Sequence, residues 1–430
     1  MQNERKISAE ILVQIIKSGA YNNIILRKEL AAEPSLSSVQ KAFITETVNG
    51  VLRNLIYIDY IINSFSKLPV NKMKPIIACI IRCAAYQMLL MDKVPDFAAC
   101  DEAVKIVKRR GFNNLAGFVN GVLRSIAKNG KNVALPDKEN EPVKYLSVKY
   151  SYPEWIIEYF LTEYDIEKIE EICAVSNLPP RVCICVNSLK TNRDELIKRL
   201  NNEEVFVQNA NDSDLLYVKG AGDITELSAF KEGLFHVIDE NSIKVVRALN
   251  PSKGDTVIDM CAAPGGKSFC ISYLMENTGK IYANDIFEHK INLIEAGAKR
   301  LGISNITPQI QDAAIPNESF FALADRVLVD APCSGLGIIR KKPDIKYRKT
   351  MDDVIALSVI QRDILKVSAK YVKPEGILVY STCTLSKIEN EDNIKWFVDN
   401  HPFELLSMET YLPKVDGGDG FFVAAFKALR

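Results

Sequence analysis

The sequence predicts a multi-domain chain: an all-α N-terminal bundle, a small α+β segment, and an α/β domain built on a doubly wound sheet. Three observations predict it. Apolar residues recur with a helical period through the first 130 positions, the period lapses in a polar stretch at 128–143, and beyond residue 255 short apolar strands alternate with helical segments. With 430 residues, 47% hydrophobic and 25% charged, the chain is long enough for two or three domains with their own cores.

The helical elements come first. Ile7, Ile11, Leu12, Ile15 and Ile16 share one face, and Gly19 can end that helix in a left-handed conformation. The period repeats through Val39, Phe43, Ile44, Val48, Val51, Leu52 and Leu55, then through Ile77, Ile80, Ile81, Ala84 and Met88 after Pro75, a residue suited to a first turn. Two further helices carry Ala103, Val104, Ile106 and Val107, then Leu115, Phe118, Val119, Val122, Leu123 and Ile126. No strand-like stretch interrupts them, so 1–135 reads as a bundle.

Charge divides the chain in the same place. Lys plus Arg (54) equals Asp plus Glu (54), yet residues 1–135 hold 19 basic and 10 acidic side chains, a net +9, which leaves −9 for the remainder. A basic module is joined to an acidic one. Its cations either neutralise RNA phosphates, with release of counterions, or form an ordinary solvated face.

The stretch KNGKNVALPDKENEPV at 128–143 has linker composition, and a boundary is expected near 135. Residues 136–235 mix helix (WIIEYFLTEY, IEKIEEICAV) with strand-like pieces (RVCICVNSL, LLYVKG, LFHVI), a small α+β subdomain leading into a third segment at 236–430.

In that third segment TVIDM (256–260) reads as a strand, CAAPGGKS (261–268) as a glycine-rich turn and FCISYLM (269–275) as a helix. A second strand ends at Asp285, and a third leads to Asp312. Strands and helices at this spacing imply parallel strands with right-handed crossovers, a Rossmann-like sheet whose ligands sit at the carboxyl ends of the strands. Gly265 and Gly266 let backbone approach a ligand closely, and Asp285 is placed for ribose hydroxyls. The turn is neither GxGxxG nor GxxxxGK[ST], and Pro264 removes a donor that a pyrophosphate cradle would use. An adenosine ligand without phosphates, such as S-adenosyl-L-methionine, remains, beside the alternative of a tight structural turn.

Two more strands carry the reactive candidates. RVLVD (326–330) leads into Asp330-Ala331-Pro332-Cys333, and GILVY (376–380) into Ser381-Thr382-Cys383. Cys79, Cys83, Cys100, Cys173 and Cys270 lie in apolar helical stretches and read as packing, whereas thiols at two strand ends on the cofactor side read as chemistry. Cytosine C5 is too electron-poor to attack a methyl donor until a nucleophile adds to C6, and a thiolate suits that reversible addition. A carboxyl group such as Asp330 can relieve charge at the N3 and N4 edge, and a second thiol can assist release.

Cys261-Ala262-Ala263-Pro264-Gly265-Gly266-Lys267, Asp330-Ala-Pro-Cys333 and Ser381-Thr-Cys383, in that order, resemble the RNA cytosine-5 methyltransferases of the Nol/Nop/Sun family. The first 130 residues resemble the RNA-binding NusB fold, and that fusion points to bacterial enzymes acting on C5 of cytosine in 16S ribosomal RNA. The resemblance implies that Cys383 is the nucleophile, that Cys333 aids product release, and that Cys261 to Lys267, Asp285, Asp312 and Asp330 hold S-adenosyl-L-methionine. It also implies an RNA target, because DNA enzymes of related chemistry attack with the proline-cysteine thiol. Residues 340–348 (RKKPDIKYR) resemble the family's basic loop and are expected to contact RNA or to be a solvated loop. Residues 180–189 resemble an Arg-Val-Asn segment, with Cys185 where arginine is usual. Asp419 to Phe422 looks like the family's final glycine turn and strand.

Other classes are disfavoured. MQNERKISAE lacks a secretory pattern and no apolar run is long enough for a membrane span, so a cytosolic protein with reduced thiols is expected. The three histidines (His236, His289, His401) are far apart and there is no CxxC pair, which argues against a metal site. A dehydrogenase and a non-catalytic RNA-binding factor are the competing readings. The partner expected is 16S ribosomal RNA, bare or in a partly assembled subunit.

Overall fold

The computed structural model describes residues 4–429. They divide into two compact units: residues up to Asn177 joined by Lys341–Arg348, and Leu178–Arg340 joined by the residues from Lys349 onward.

The first unit is helical. Glu4–Ser18, Asn22–Ala31, Ser38–Arg53, Leu55–Phe65, Pro75–Leu90, Asp96–Arg109 and Ala116–Asn129 are α-helices. Pro75 lies in the first turn of its helix, where its missing N–H costs no hydrogen bond. Gly19 takes φ +65° just past the first helix. The apolar series from Val39 to Leu55 is two helices rather than one. They part at Asn54, whose Nδ2 donates to Gly50 O at 2.9 Å, a local bond that competes with continuing the helix. Val39 is 76% exposed and does not join the core face. The interior is Ile11, Leu12, Ile44, Val48, Ile58, Ile62, Ile81 and Leu123, each essentially excluded from water, and burial of such a side chain stabilises by about 1.5–3 kcal/mol. Helices Pro142–Tyr150, Glu154–Phe160 and Ile166–Ser176 also fall in this unit.

Lys341–Arg348 completes the unit and corrects the expectation of a basic loop open to RNA. Lys346 is fully buried; its Nζ donates to Arg53 O (2.9 Å), Asn177 Oδ1 (3.1 Å) and Tyr150 O (3.4 Å) and lies 4.5 Å from the centre of the Tyr152 ring. Tyr347 Oη donates to Leu52 O at 2.8 Å. Arg340, in the second unit, is also buried and donates to Pro179 O and Lys414 O at 3.0 and 3.1 Å. Both side chains spend their donors on carbonyl oxygens inside their own units, and burial pushes the Lys346 pKa down to about 7. Lys341 and Lys342 are exposed.

The second unit contains two sheets. β1 (Val182–Val186), β2 (Phe206–Asn209), β3 (Leu215–Lys219) and β4 (Phe235–Val237) form an antiparallel sheet ordered β2-β3-β1-β4. β5 (Thr256–Asp259), β6 (Lys280–Asp285), β7 (Ile306–Ile310), β8 (Ala324–Asp330), β9 (Val372–Thr382), β10 (Phe403–Tyr411) and β11 (Phe421–Ala428) form the larger sheet. Its order is β10-β11-β9-β8-β5-β6-β7. β5 to β9 are mutually parallel where they pair, and β11 runs antiparallel to both β9 and β10. Val257, Ile258, Val327, Leu328, Leu378 and Val379 are fully buried because helices cover both faces, which is why these strands read as apolar runs without alternation. From β5 the chain builds outward to β6 and β7 on one side and to β8 and β9 on the other. Such a switch of direction opens a crevice at the carboxyl ends of β5 and β8.

Candidate active site

The crevice is floored by the turn after β5. Gly265 has φ +106°, and a Cβ there would lie 2.4 Å from the Phe269 ring, so only glycine fits. Ala262 N donates to Asn284 O (2.8 Å) and Gly265 N to Ala262 O (2.8 Å), which fixes Cys261–Lys267 against the end of β6. The Ala263–Pro264 peptide is cis. Burial pushes the Cys261 thiol well up, so this cysteine stays protonated and lines the turn.

The neighbouring strand ends are polar. Asp285 is buried at the end of β6, and its carboxylate makes only long contacts, to Phe287 N and Lys290 Nζ at 3.3 Å. Asp312, past β7, accepts from Ala314 N at 2.9 Å. Asn284 is fully buried and neither atom of its amide has a hydrogen-bond partner. Buried amides are rarely left so, and this one reserves polar capacity at the crevice that the protein itself does not use. Asp259 is buried at the end of β5; it accepts from Ser268 Oγ at 2.6 Å, and burial pushes its carboxyl up to about 7. The set fits a nucleoside-type cofactor: a backbone turn, a carboxylate for ribose hydroxyls and an unpaired amide. Asn284 and Asp259 were missed from sequence, although a polar residue closing an apolar strand was a signal for both.

The reactive candidates meet at the ends of β8 and β9, where Asp330 and Ser381 are register partners. Asp330 Oδ1 accepts from Ser381 Oγ at 2.8 Å, and its Oδ2 pairs with Lys267 Nζ at 2.6 Å. Burial works against the Lys267 charge, but Asp330 outweighs it and the ammonium's pKa is raised. Cys333 Sγ lies 3.2 Å from Cys383 Sγ. Its hydrogen bond to Cys383, with burial, pushes the Cys333 thiol well up, so Cys333 keeps its proton. Gly337 N donates to Cys383 O at 3.0 Å, and a Cβ on Gly337 would lie 2.8 Å from that oxygen.

A second cluster lies behind the turn. Cys185, His236 and Cys270, remote in sequence, come together with Cys270 Sγ 3.6 Å from both Cys185 Sγ and His236 Nε2. His236 Nε2 is 3.1 Å from Gly266 O and Nδ1 3.2 Å from Tyr273 Oη. A carbonyl only accepts, so Nε2 carries the proton and Nδ1 accepts from the phenol. The ring thereby pins the first residue of helix Gly266–Leu274 and offers no lone pair to the two sulfurs.

A reactive sulfur beside a cofactor turn in a doubly wound sheet is what an S-adenosylmethionine-dependent pyrimidine methyltransferase needs, and that is the class the second unit defines. Residues 246–427 match the family described as 16S rRNA methyltransferase RsmB/F, residues 2–128 the NusB family, and residues 152–225 the ferredoxin-like domain of RsmF/B-like methyltransferases. The chain is 39% identical to the probable ribosomal RNA small subunit methyltransferase B of Bacillus subtilis, over 98% of each chain. It is 34% identical to that of Synechocystis, over 99% of this chain and 100% of the other. The crystal structure of PH0851 superposes with a TM-score of 0.82 at 28% identity, covering 99% of both chains. A methyltransferase homologue from Pyrococcus horikoshii covers 67% of this chain and 99% of its own, with a TM-score of 0.60 at 29% identity. The chain belongs to the 16S rRNA methyltransferase RsmB/F family.

Proposed function

We propose that this chain methylates C5 of a cytosine in 16S ribosomal RNA through a covalent bond between Cys383 and C6 of the base. The observation that carries the reading is the 3.2 Å separation of the two sulfurs beside the Lys267–Asp330 pair. Cys261 to Lys267, Asp285, Asp312 and Asp330 would hold S-adenosyl-L-methionine, which supplies an electrophilic methyl group on a sulfonium. The Cys383 thiolate adds to C6 and makes C5 nucleophilic, while Asp330, held by Lys267 and Ser381, would accept from the N4 amino group and orient the ring, and the Lys267 ammonium beside it offsets the negative charge that builds on the ring. Once C5 has gained the methyl group its proton leaves to a base, the C5–C6 double bond re-forms, and the C6–S bond breaks with its electron pair returning to Cys383. Cys333, in contact with that sulfur, assists release. No step calls on a metal ion.

The target cytosine must be in a loop or flipped out, because a stacked base does not expose C6. In the helical unit a groove of about 790 Å³ is lined by Phe97, Lys108, Asn120, Arg124 and Lys128 among others. Asp96 and Asp101 also line it, so the three cations exceed the carboxylates by one, and cations beside an aromatic side chain suit a single-stranded RNA segment. Among the described residues no helix is long and apolar enough to cross a membrane, and the enzyme would act in the cytoplasm on ribosomal RNA, bare or partly assembled. The test is transfer of labelled methyl from S-adenosylmethionine to 16S ribosomal RNA, followed by nucleoside analysis. Labelled 5-methylcytidine is expected; label in any other nucleoside, or none, refutes the reading.

A further inference from the structure

Glu389 has no part in the reaction written above, yet it is fully buried in the loop that follows β9. Its Oε1 accepts from Ser334 N (2.8 Å) and Gln361 Nε2 (2.9 Å), and its Oε2 accepts from Ser334 Oγ. Ser334 Oγ is 2.7 Å from Thr384 Oγ1. A carboxylate only accepts, so Ser334 gives its hydroxyl proton to Glu389 and receives that of Thr384. Ser334 follows Cys333 in the chain, and Thr384 follows Cys383. The carboxylate thus ties together the residues flanking both thiols.

The neighbours complete the clamp. Gln361 Nε2 also donates to Pro332 O (2.9 Å), so the backbone is held on both sides of Cys333, and Asn393 Nδ2 fixes Gln361 through its Oε1 (2.8 Å). On the other loop Tyr380 Oη donates to Glu389 O (2.7 Å), and Thr382 Oγ1 to Asn390 Oδ1 (2.6 Å). A fold seeking stability alone would do as well with apolar packing here, because burying a carboxylate is expensive even when it is fully hydrogen-bonded. What the charge provides is three convergent acceptor contacts that set one loop against the other.

We infer that Glu389 is a positioning residue that holds the Cys333 loop in register with the Cys383 loop, so that the second thiol reaches the first during release. The inference rests on the cysteine roles proposed above. Burial raises the Glu389 pKa, while the donors around it favour its anion. Its charge also helps to keep Cys333 protonated.

The test uses the full-length enzyme with 16S ribosomal RNA and S-adenosylmethionine, comparing wild type, Cys333→Ala, Glu389→Gln, Ser334→Ala and the Cys333→Ala/Glu389→Gln double variant. Glu389→Gln is expected to lower kcat about 10- to 100-fold, the scale of a small misplacement of reacting groups. KM for RNA and cofactor should stay within about 3-fold, and an RNA–protein adduct that survives denaturing gels should accumulate as it does in Cys333→Ala. The double variant should be no slower than Cys333→Ala alone, because both changes remove the same function. Loss of thermal stability and activity with no adduct, or an additive loss in the double variant, overturns the inference. If Glu389→Gln fails to fold, Ser334→Ala, which removes a single hydroxyl, must give the adduct and the fall in kcat. If Cys333→Ala itself traps nothing, the cysteine roles fail; if it does and Glu389→Gln turns over like wild type, only the role of Glu389 falls.

Discussion

Lys267 Nζ lies 2.6 Å from Asp330 Oδ2, which joins the cation of the glycine turn to the carboxylate at the end of β8. In the reaction proposed above the turn would therefore do more than receive a cofactor: through Lys267 it also sets the carboxylate that would meet the pyrimidine. Lys267→Met would leave Asp330 with Ser381 as its remaining partner. We expect kcat to fall about 10²- to 10³-fold, the scale of losing one preorganised electrostatic contact, with a much smaller change in cofactor affinity. Steady-state kinetics with calorimetric titration of S-adenosylmethionine check it, and a loss confined to cofactor affinity contradicts it.

Asp259 carries a pH signature. Its carboxyl is pushed up to about 7 by burial, against about 4 in an unfolded chain. An acid whose pKa rises on folding supports the fold while protonated; that support is complete below about pH 4 and is lost as the pH rises through 7. Asp259→Asn keeps an acceptor for Ser268 and cannot ionise, so it should gain stability relative to wild type between pH 4.5 and pH 8. Urea midpoints at the two pH values measure this, and an equal difference at both would contradict it.

Lys346 is the internal tie of the helical unit, donating to Arg53 O, Tyr150 O and Asn177 Oδ1. Lys346→Met keeps the length of the side chain and removes the donor to Arg53 O and Asn177 Oδ1, while Tyr150 O keeps that of Asn177 Nδ2, at a cost of about 1–3 kcal/mol. Chemical denaturation followed by helical circular dichroism should show the loss; an unchanged midpoint would mean that the buried amine is neutral to stability.

The groove lined by Lys108, Arg124 and Lys128 gives a salt prediction. Changing all three to Ala should raise KM for RNA several-fold with little change in kcat. It should also flatten the dependence of log affinity on log salt by about 0.7–0.9 for each phosphate contact removed. Filter binding from 50 to 300 mM salt separates this from a solvated face, for which the slope would not move.

The second unit was the more legible in sequence because its chemistry stands at strand ends. Val257 and Ile258 before the glycine turn, and Val327 to Val329 before Asp330, are buried runs that end where function begins. Cys333 and Cys383 were read as thiols at the ends of two strands on the cofactor side, and the pairing of β8 with β9 brings them into contact. What stayed hidden depends on contacts between distant segments. Glu389 and Ser334 are 55 positions apart and carry no pattern that announces a bond. Cys185, His236 and Cys270 meet only because the smaller sheet packs behind the turn. The edge strands β2 and β10 lack the expected apolar signal: Phe206 is 74% exposed and most of β10 is exposed. The buried cations Arg340 and Lys346 were misread because a run of charge looks like surface until its carbonyl acceptors are known.

The most direct test of the account is to incubate Cys333→Ala with 16S ribosomal RNA and S-adenosylmethionine, digest with nuclease and protease, and locate the nucleotide mass by tandem mass spectrometry. The account predicts a methylated cytidine on the peptide containing Cys383, and no such peptide once Cys383→Ala is added. A nucleotide attached elsewhere, or methylation that persists in Cys383→Ala, would contradict it.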